Sequence, residues 1–407
     1  LGLFLEVAVY DLIIVGGGAS GLFLASNLNL NGKKGLIIDS NKELGLKILA
    51  SGSSQCNLTN GEDIINFFEK YNDKGKSIKY ALSKNTNIDL INFIEENGVP
   101  LIIREDRKVF PASLKATTIR DLLVKLSKEN GFEIMSGKKV IDIQKDQNFR
   151  VLTIEEEFNS KYLVLATGGS SYPKLGSDGK MLDVLKKLGH EIIKPKQCLG
   201  PIYVKDYPFS GASGISLKEI NLFLYRDNKK IKTFNGDLLF THKNFSGPII
   251  LNNSRYFEVN DILKVEFLDR GTIEKALSSN DKRILKNQFN DILPIKIIDI
   301  LNSLLYGILD KKSFDLKKEE RNKLFLLSEV PFFITNLSSW DEAMTTCGGV
   351  SFSSINTKTY ESKQVSKLYV LGEMLNFDGQ TGGYSFQACY SIAKICAKEL
   401  TEQLSIV

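Results

Sequence analysis

Three apolar strands that each run into glycine, with helices after two of them, predict an α/β protein whose main domain is discontinuous. The first strand and its turn read Tyr10-Asp-Leu-Ile-Ile-Val-Gly-Gly-Gly-Ala-Ser-Gly21. The second strand is Tyr162-Leu-Val-Leu-Ala-Thr-Gly-Gly169, and the third is Lys367-Leu-Tyr-Val-Leu-Gly372, close to the end of the chain. Between the second and third, the pattern turns to strands separated by polar turns, then to helices. The α/β domain is therefore expected to be interrupted by an insertion.

The first element justifies the class. Gly16, Gly18 and Gly21 have G-x-G-x-x-G spacing between an apolar strand and the helical run Leu22-Phe-Leu-Ala-Ser-Asn-Leu28. Gly16 makes the tight turn, Gly18 lets backbone approach a pyrophosphate, and Gly21 lets the helix lie close to the sheet. The helix N-terminus adds free N–H groups and partial positive charge. Gly35-Leu-Ile-Ile-Asp39 is a second strand ending in an acid. Asp39 falls 18 positions after Gly21, where a carboxylate meets the ribose hydroxyls of an adenosine. A plain strand–turn–helix with a solvated Asp is the bland alternative, and it fits the combination poorly. The reading is a Rossmann-type dinucleotide site.

Further along, residues 78–97 read as a helical stretch. Ala116 to Ser127 reads as a second helix, with Ile119, Leu122, Leu123 and Leu126 on one face. Short strands follow at Glu133-Ile134 and Lys139 to Ile143. Arg150 to Ile154 and Lys161 to Ala166 frame a hairpin. Leu182 to Leu188 is a helix stopped by Gly189. The strand-like segments from Pro201 to Leu268 suggest an antiparallel sheet or barrel, residues 273–327 read as helical, and Phe332 to Asn336 returns to strand. Tyr384 to Leu404 is the closing helix. Two segments, 1–195 and 353–407, are assigned to the nucleotide domain. The inserted β domain takes 196–270 and 330–352, and 271–329 forms a helical insert within it.

Composition narrows the class. The 407 residues suffice for two or three domains, and 43% hydrophobic with 25% charged residues is ordinary for a soluble globular chain. The net charge of +5 is small, and lysine runs are interleaved with acids, so nucleic acid is not demanded as a partner. Five widely spaced cysteines without C-x-x-C indicate neither a disulfide framework nor a zinc site, and two histidines make a His-based metal site improbable. No metal is expected. The first nine residues are apolar without a basic flank and are read as leading into the first strand, and Leu1 in place of Met points to a truncated start. No apolar run reaches the ~18 residues of a membrane span. A cytoplasmic protein is expected.

The remaining glycine clusters choose the cofactor. Ala166-Thr167-Gly168 would cross it closely, and Gly372-Glu373 supplies an acid after a strand. Gly382 and Gly383 open the last helix, aiming N–H groups at a flavin's N1/C2 carbonyl side. No second fingerprint for NAD(P)H is visible, so FAD fits better than NAD.

With these stretches, and with Ser51 to Asn57, Val109-Phe-Pro-Ala-Ser113, Gly236 to Pro248, Thr346-Cys-Gly-Gly-Val350 and Lys358 to Lys363, the chain resembles the YhiN/BaiN-like (aminoacetone-oxidase-like) NAD(P)/FAD-dependent flavoproteins over nearly its whole length. The resemblance implies an FAD domain in two pieces around a β insert that carries helices. It implies cofactor contacts from Gly16, Gly18, Ala19, Ser20, Gly21, Asp39, Ser40, Lys47, Ser51, Gly52, Asn57, Val140, Ala166, Thr167, Gly168, Gly372, Glu373, Asp378, Gly382, Gly383 and Tyr384. Two departures stand out. Ser51-Gly-Ser-Ser-Gln-Cys-Asn57 replaces the family's Ser-Gly-Gly-Gly-Arg-Cys-Asn, so Gln55 stands for an arginine, and Ser385 stands for an asparagine.

No acid, base or nucleophile is marked by a motif. His242, Tyr384 and Cys56 are the catalytic candidates, each with a structural reading beside it: a hydrogen-bonded histidine, a packing aromatic and a buried small hydrophobe. Ser246 is read as a helix cap ahead of Pro248. The expected reaction is hydride transfer between flavin N5 and a small organic substrate, by reduction of an activated C=C or oxidation of an amine, with NAD(P)H as a donor. Two alternatives stand beside it: reduction of uridine in ribosomal RNA, and a non-catalytic flavin carrier.

Overall fold

The computed structural model describes residues 9–406; the apolar segment 1–8 lies outside the described residues. The chain divides into two compact units, one of residues 1–196 and 344–407 and the other of 197–343.

The first unit is built on a seven-stranded sheet. In spatial order its strands are Phe132–Ser136, Gly35–Asp39, Val9–Val15, Glu157–Leu165, Phe149–Thr153 and Val140–Lys145, with Leu368–Val370 also paired to Glu157–Leu165. The central strands are parallel. Leu12, Ile13, Ile14 and Val15 are buried, as a parallel strand covered on both faces requires. Register aligns the strand ends. Val15 is opposite both Ile38 and Leu165, and Val370 is opposite Leu165. Gly16, Asp39, Ala166 and Leu371 therefore emerge along one edge, at the carboxyl ends where open α/β sheets bind ligands.

Helices cover this sheet. The fingerprint helix Ala19–Ser26 and the closing helix Tyr384–Ile406 meet through Phe23, whose ring lies 5.1 Å from Phe386 and 5.3 Å from Tyr390 in edge-on geometry. The stretch read as one helix over 78–97 is two, Gly75–Lys84 and Asn87–Glu96. The break is a capping box: the Thr86 hydroxyl accepts from Asp89 N while Asp89 accepts from Thr86 N. Local hydrogen bonding outweighs continued apolar periodicity there.

The second unit is a closed six-stranded barrel of Ile202–Val204, Phe245–Ser246, Lys229–Phe240, Ser216–Arg226, Ile262–Glu266 and Val330–Leu337. Phe209, Phe240, Phe245, Phe267 and Phe332 fill it. Helices Arg270–Ser278, Leu285–Phe289, Ile295–Leu304 and Lys318–Leu324 lie between the last two strands in sequence and contribute Ile273, Leu285, Ile297 and Leu324 to the same core. Ser246 does not cap the helix Pro248–Leu251; Gly247 occupies that position at φ +88° without a side-chain bond. The segment Thr346 to Val350, assigned by sequence to the insert, belongs to the first unit. Thr346 bonds into that unit's glycine-lined edge, as described below. No helix among the described residues is long and apolar enough to cross a membrane.

The fingerprint helix depends on contact without side chains. A Cβ on Gly21 would lie 2.0 Å from the Gly16 carbonyl oxygen, and one on Gly16, at φ +105°, would lie 2.4 Å from the Ala166 oxygen. Backbone is on the other side of each contact, so neither neighbour can give way. Gly21→Ala should destabilise the apoprotein by more than about 1 kcal/mol, measured by urea unfolding; unchanged stability would show that the helix can shift to admit a methyl group.

Candidate functional site

The site is the glycine-lined edge of the first unit. Gly18 is the N-cap of the fingerprint helix, and a Cβ built on it meets no protein atom within 4 Å. Gly16 and Gly21 are thus required by protein–protein contact, whereas Gly18 faces open space. Such a space ahead of helical N–H groups suits a phosphate. Ala19 and Ser20 open the helix. A Cβ on Gly372 would lie 2.1 Å from the Ser20 hydroxyl, so the third strand's turn is pressed against the fingerprint.

Asp39 accepts from Gly17 N and from Asn41 N, each at 2.7 Å. Burial raises its pKa, opposed by these backbone bonds. Each carboxylate oxygen keeps a further acceptor site, so orienting the glycine loop and receiving ribose hydroxyls are compatible. Ser40 is exposed beside the turn at Gly176, and Lys138 N donates to Asp39 O at 2.8 Å, bringing Val140 near the end of the second strand.

Glu373 gathers three segments. Lys47 Nζ is 2.6 Å from Glu373 Oε2 and bonds to Ser171 Oγ, which donates to Glu373 Oε1 at 2.8 Å. Thr346 N also donates to Oε1 at 2.8 Å, while the Thr346 hydroxyl accepts from Ser170 N and Ser171 N. Burial pushes the Glu373 carboxyl up, but Lys47 and the hydrogen bonds outweigh it and hold the pKa below the usual value. Ser171 has no sequence signal of its own; Thr346 lies within a recognised stretch but carried no role. Ala166 is buried, and Thr167 N and Oγ1 both point to Met374 Sδ at 3.3 Å. A Cβ on Gly168, which follows, would lie 2.5 Å from the Ser177 hydroxyl.

The loop 51–57 and the closing helix meet next. With its amide turned so that nitrogen and oxygen meet complementary partners, Asn57 donates to Thr59 O at 3.0 Å and accepts from Gly383 N at 3.1 Å. A Cβ on Gly383 would lie 2.6–2.7 Å from the Thr59 backbone, and one on Gly52 2.7 Å from Asn57 N. Ser51 Oγ donates to Ile48 O at 2.6 Å. Asp378 is buried and accepts from Asn72 at 3.2 Å. Gly382 is seated against the Tyr384 ring.

The catalytic candidates fare differently. Cys56 is fully buried and its thiol is pushed up to about 12 by burial, so it is no thiolate nucleophile at neutral pH. Tyr384 is buried, donates to Glu62 Oε1 at 2.5 Å, and packs on Phe67 and Tyr71. Burial, then Glu62, raises its pKa; the hydroxyl is committed to a protein partner. His242 is exposed and belongs to the second unit. His190 bonds Leu185 O and Ser362 Oγ and caps its helix. A groove of about 400 Å³ lined by Phe223, Lys264, Arg270 and Phe325 lies wholly in the second unit and holds none of the expected residues.

A split α/β unit with this edge defines the class, a Rossmann-type FAD-dependent oxidoreductase. The chain belongs to the HI0933-like family, whose model, described as the HI0933-like protein Rossmann domain, matches residues 10–399. It is 31% identical to a ribosomal RNA dihydrouridine synthase of Haemophilus influenzae, over 96% of this chain and 98% of that protein. It is 23% identical to a 3-dehydro-bile acid delta(4,6)-reductase of Clostridium scindens, with the same coverage. Among solved structures, a flavocytochrome c3 fumarate reductase shares the fold at 14% identity and TM-score 0.53, over 97% of this chain and 78% of that one.

Two outcomes test the site. Gly18→Val should cost the apoprotein no more than the poorer N-cap, about 1 kcal/mol, since a Cβ there meets no protein atom within 4 Å, yet abolish retention of flavin in the visible spectrum. Lys47→Met should cost about 1–3 kcal/mol at pH 7, because both partners are less than a third exposed and Glu373 loses its cation. Glu373 has a folded pKa below its unfolded value, so its contribution is full above about pH 4.3 and disappears as pH falls through the lowered pKa. The gap between wild type and Lys47→Met in urea titrations should therefore close below that range.

Proposed function

We propose that the chain reduces the C5=C6 bond of a uridine in ribosomal RNA, using FAD held at the glycine-lined edge. The observation that carries this reading is the end-to-end match to the H. influenzae dihydrouridine synthase. The uracil C5=C6 bond is conjugated to C4=O, so it is electrophilic at C6. FAD, when bound, supplies a hydride from N5 and is reduced again by a donor such as NAD(P)H. A hydride so supplied would go to C6 and a proton from solvent to C5, which turns uridine into dihydrouridine.

The chain's own residues position the parts. Gly18 and the amides of the fingerprint helix receive the pyrophosphate, and Asp39 receives a ribose. Glu373, kept anionic by Lys47, orders the segments around the ribityl chain. Gly382 and Gly383 open the closing helix, whose positive end would favour the charge of a reduced flavin bound there. We place the reaction in the cytoplasm, where ribosomes are. Reduction of a small conjugated substrate is the competing reading, favoured by the C. scindens relative.

The test uses the flavin-loaded protein, NADH or NADPH under anaerobic conditions, and an unmodified ribosomal RNA transcript. Bleaching of the flavin, followed by nucleosides that have gained two hydrogens in mass spectrometry, is the expected result. Bleaching with no such nucleoside, but with turnover of small enones, would transfer the activity to a small substrate.

A further inference from the structure

We infer that Arg104 grips a phosphate of the RNA substrate at the lip of the candidate flavin site; the inference rests on the ribosomal RNA reading above. Gln55 stands where the resembling flavoproteins carry an arginine, so the loop 51–57 itself supplies no guanidinium. Arg104 brings one to that loop from another segment, the turn between the strands Leu101–Ile103 and Lys108–Pro111. Its Nη2 donates to Gln55 Oε1 at 2.7 Å, and its guanidinium lies 4.0 Å from the centroid of the Phe110 ring.

These two contacts fix an exposed side chain that would otherwise rotate freely, so less entropy is lost when it binds a ligand. The charge is also uncountered. Among the described residues no carboxylate pairs with Arg104, and the acid that feels its field, Asp106, is bonded to Lys108 at 2.7 Å. A guanidinium has five donors. One bond to Gln55 leaves the rest of the fork for an oxyanion, the geometry in which arginine reads phosphate.

The loop beside it adds donors of the same kind. Gly52, Ser53 and Ser54 have φ of +54°, +54° and +66°, and all three are exposed. Their amides find no hydrogen-bond partner among the described residues, although Gly52 O and Ser54 O accept from Gln55 N and Ala116 N. Successive amides in such a turn form an anion-binding concavity. Two serines held in the left-handed region carry strain of the sort that collects at ligand sites. Asn57, at the end of this loop, faces Gly383 N, so the loop that carries Gln55 runs on to the opening of the closing helix. A phosphodiester next to the reacting uridine meets this chemistry; the carboxylate of a small substrate would share it.

The experiment measures binding of a labelled ribosomal RNA fragment to the flavin-loaded protein by anisotropy across a salt series. Arg104→Ala should weaken binding several-fold and reduce the slope of log Kd against log salt by about 0.7–0.9, the loss of one phosphate contact. Arg104→Lys should keep the slope but not the full affinity, since it retains charge without the fork. Flavin content and visible spectrum should match wild type in both variants. An unchanged slope in Arg104→Ala, on RNA that wild type binds, overturns the role of Arg104 alone. Failure of wild type to bind RNA overturns the RNA reading and the phosphate contact together. Inhibition by small carboxylates that depends on Arg104, without RNA binding, assigns the same guanidinium to a small substrate and overturns the phosphodiester.

Discussion

Backbone-to-backbone contact at the ends of the parallel strands is the constraint on which the site depends. The carbonyl of Ala166 sits where a Cβ of residue 16 would go, and the carbonyl of Gly16 sits where a Cβ of residue 21 would go. The second nucleotide strand, the glycine turn and the fingerprint helix are thereby stacked at distances that side chains forbid. Because the strands share register at Val15, Ile38, Leu165 and Val370, this contact sets the height of everything that follows each strand. Asp39, Thr167 and Gly372 are positioned by it.

Electrostatics then joins what the backbone has brought near. Glu373 is held by Lys47, Ser171 and Thr346, residues from three separate stretches of sequence. Half-buried charge is tolerated because each carboxylate oxygen is met by a cation or a polar hydrogen. Asn57 performs the corresponding task on the other side, tying its loop to the amide of Gly383. The glycine-lined edge is therefore assembled twice, once by excluding side chains and once by satisfying charge.

Much of the first unit was legible in its sequence. Gly16, Gly18, Gly21 and Asp39 form a local motif, and a local motif carries its geometry within some thirty residues. The barrel was legible only as a class, since alternation gives strands without saying that the edges close. The break at Thr86 was not read from the sequence, because apolar periodicity runs through it and the capping box that makes it is a matter of local hydrogen bonds. Thr346 was read into the wrong unit: its strand lies next to the insert in sequence, and only its bonds to Glu373 and to the amides of Ser170 and Ser171 show where it belongs. The sequence left Cys56 and Tyr384 each with a structural and a catalytic reading, because the burial and the Glu62 partner that bear on the choice come from distant segments.

The sequence alone determined a dinucleotide edge, since strand, glycine spacing and acid are properties of neighbouring residues. It also suggested that three strand ends belong to one α/β domain interrupted by an insertion. Tertiary structure decided which glycine is packed against backbone and which faces open space, because that depends on what stands opposite each missing Cβ. It decided, too, that an exposed guanidinium returns to the loop where Gln55 removed one. The distance between positions 55 and 104 along the chain says nothing of this; the strand pairing that turns Arg104 back over Phe110 does.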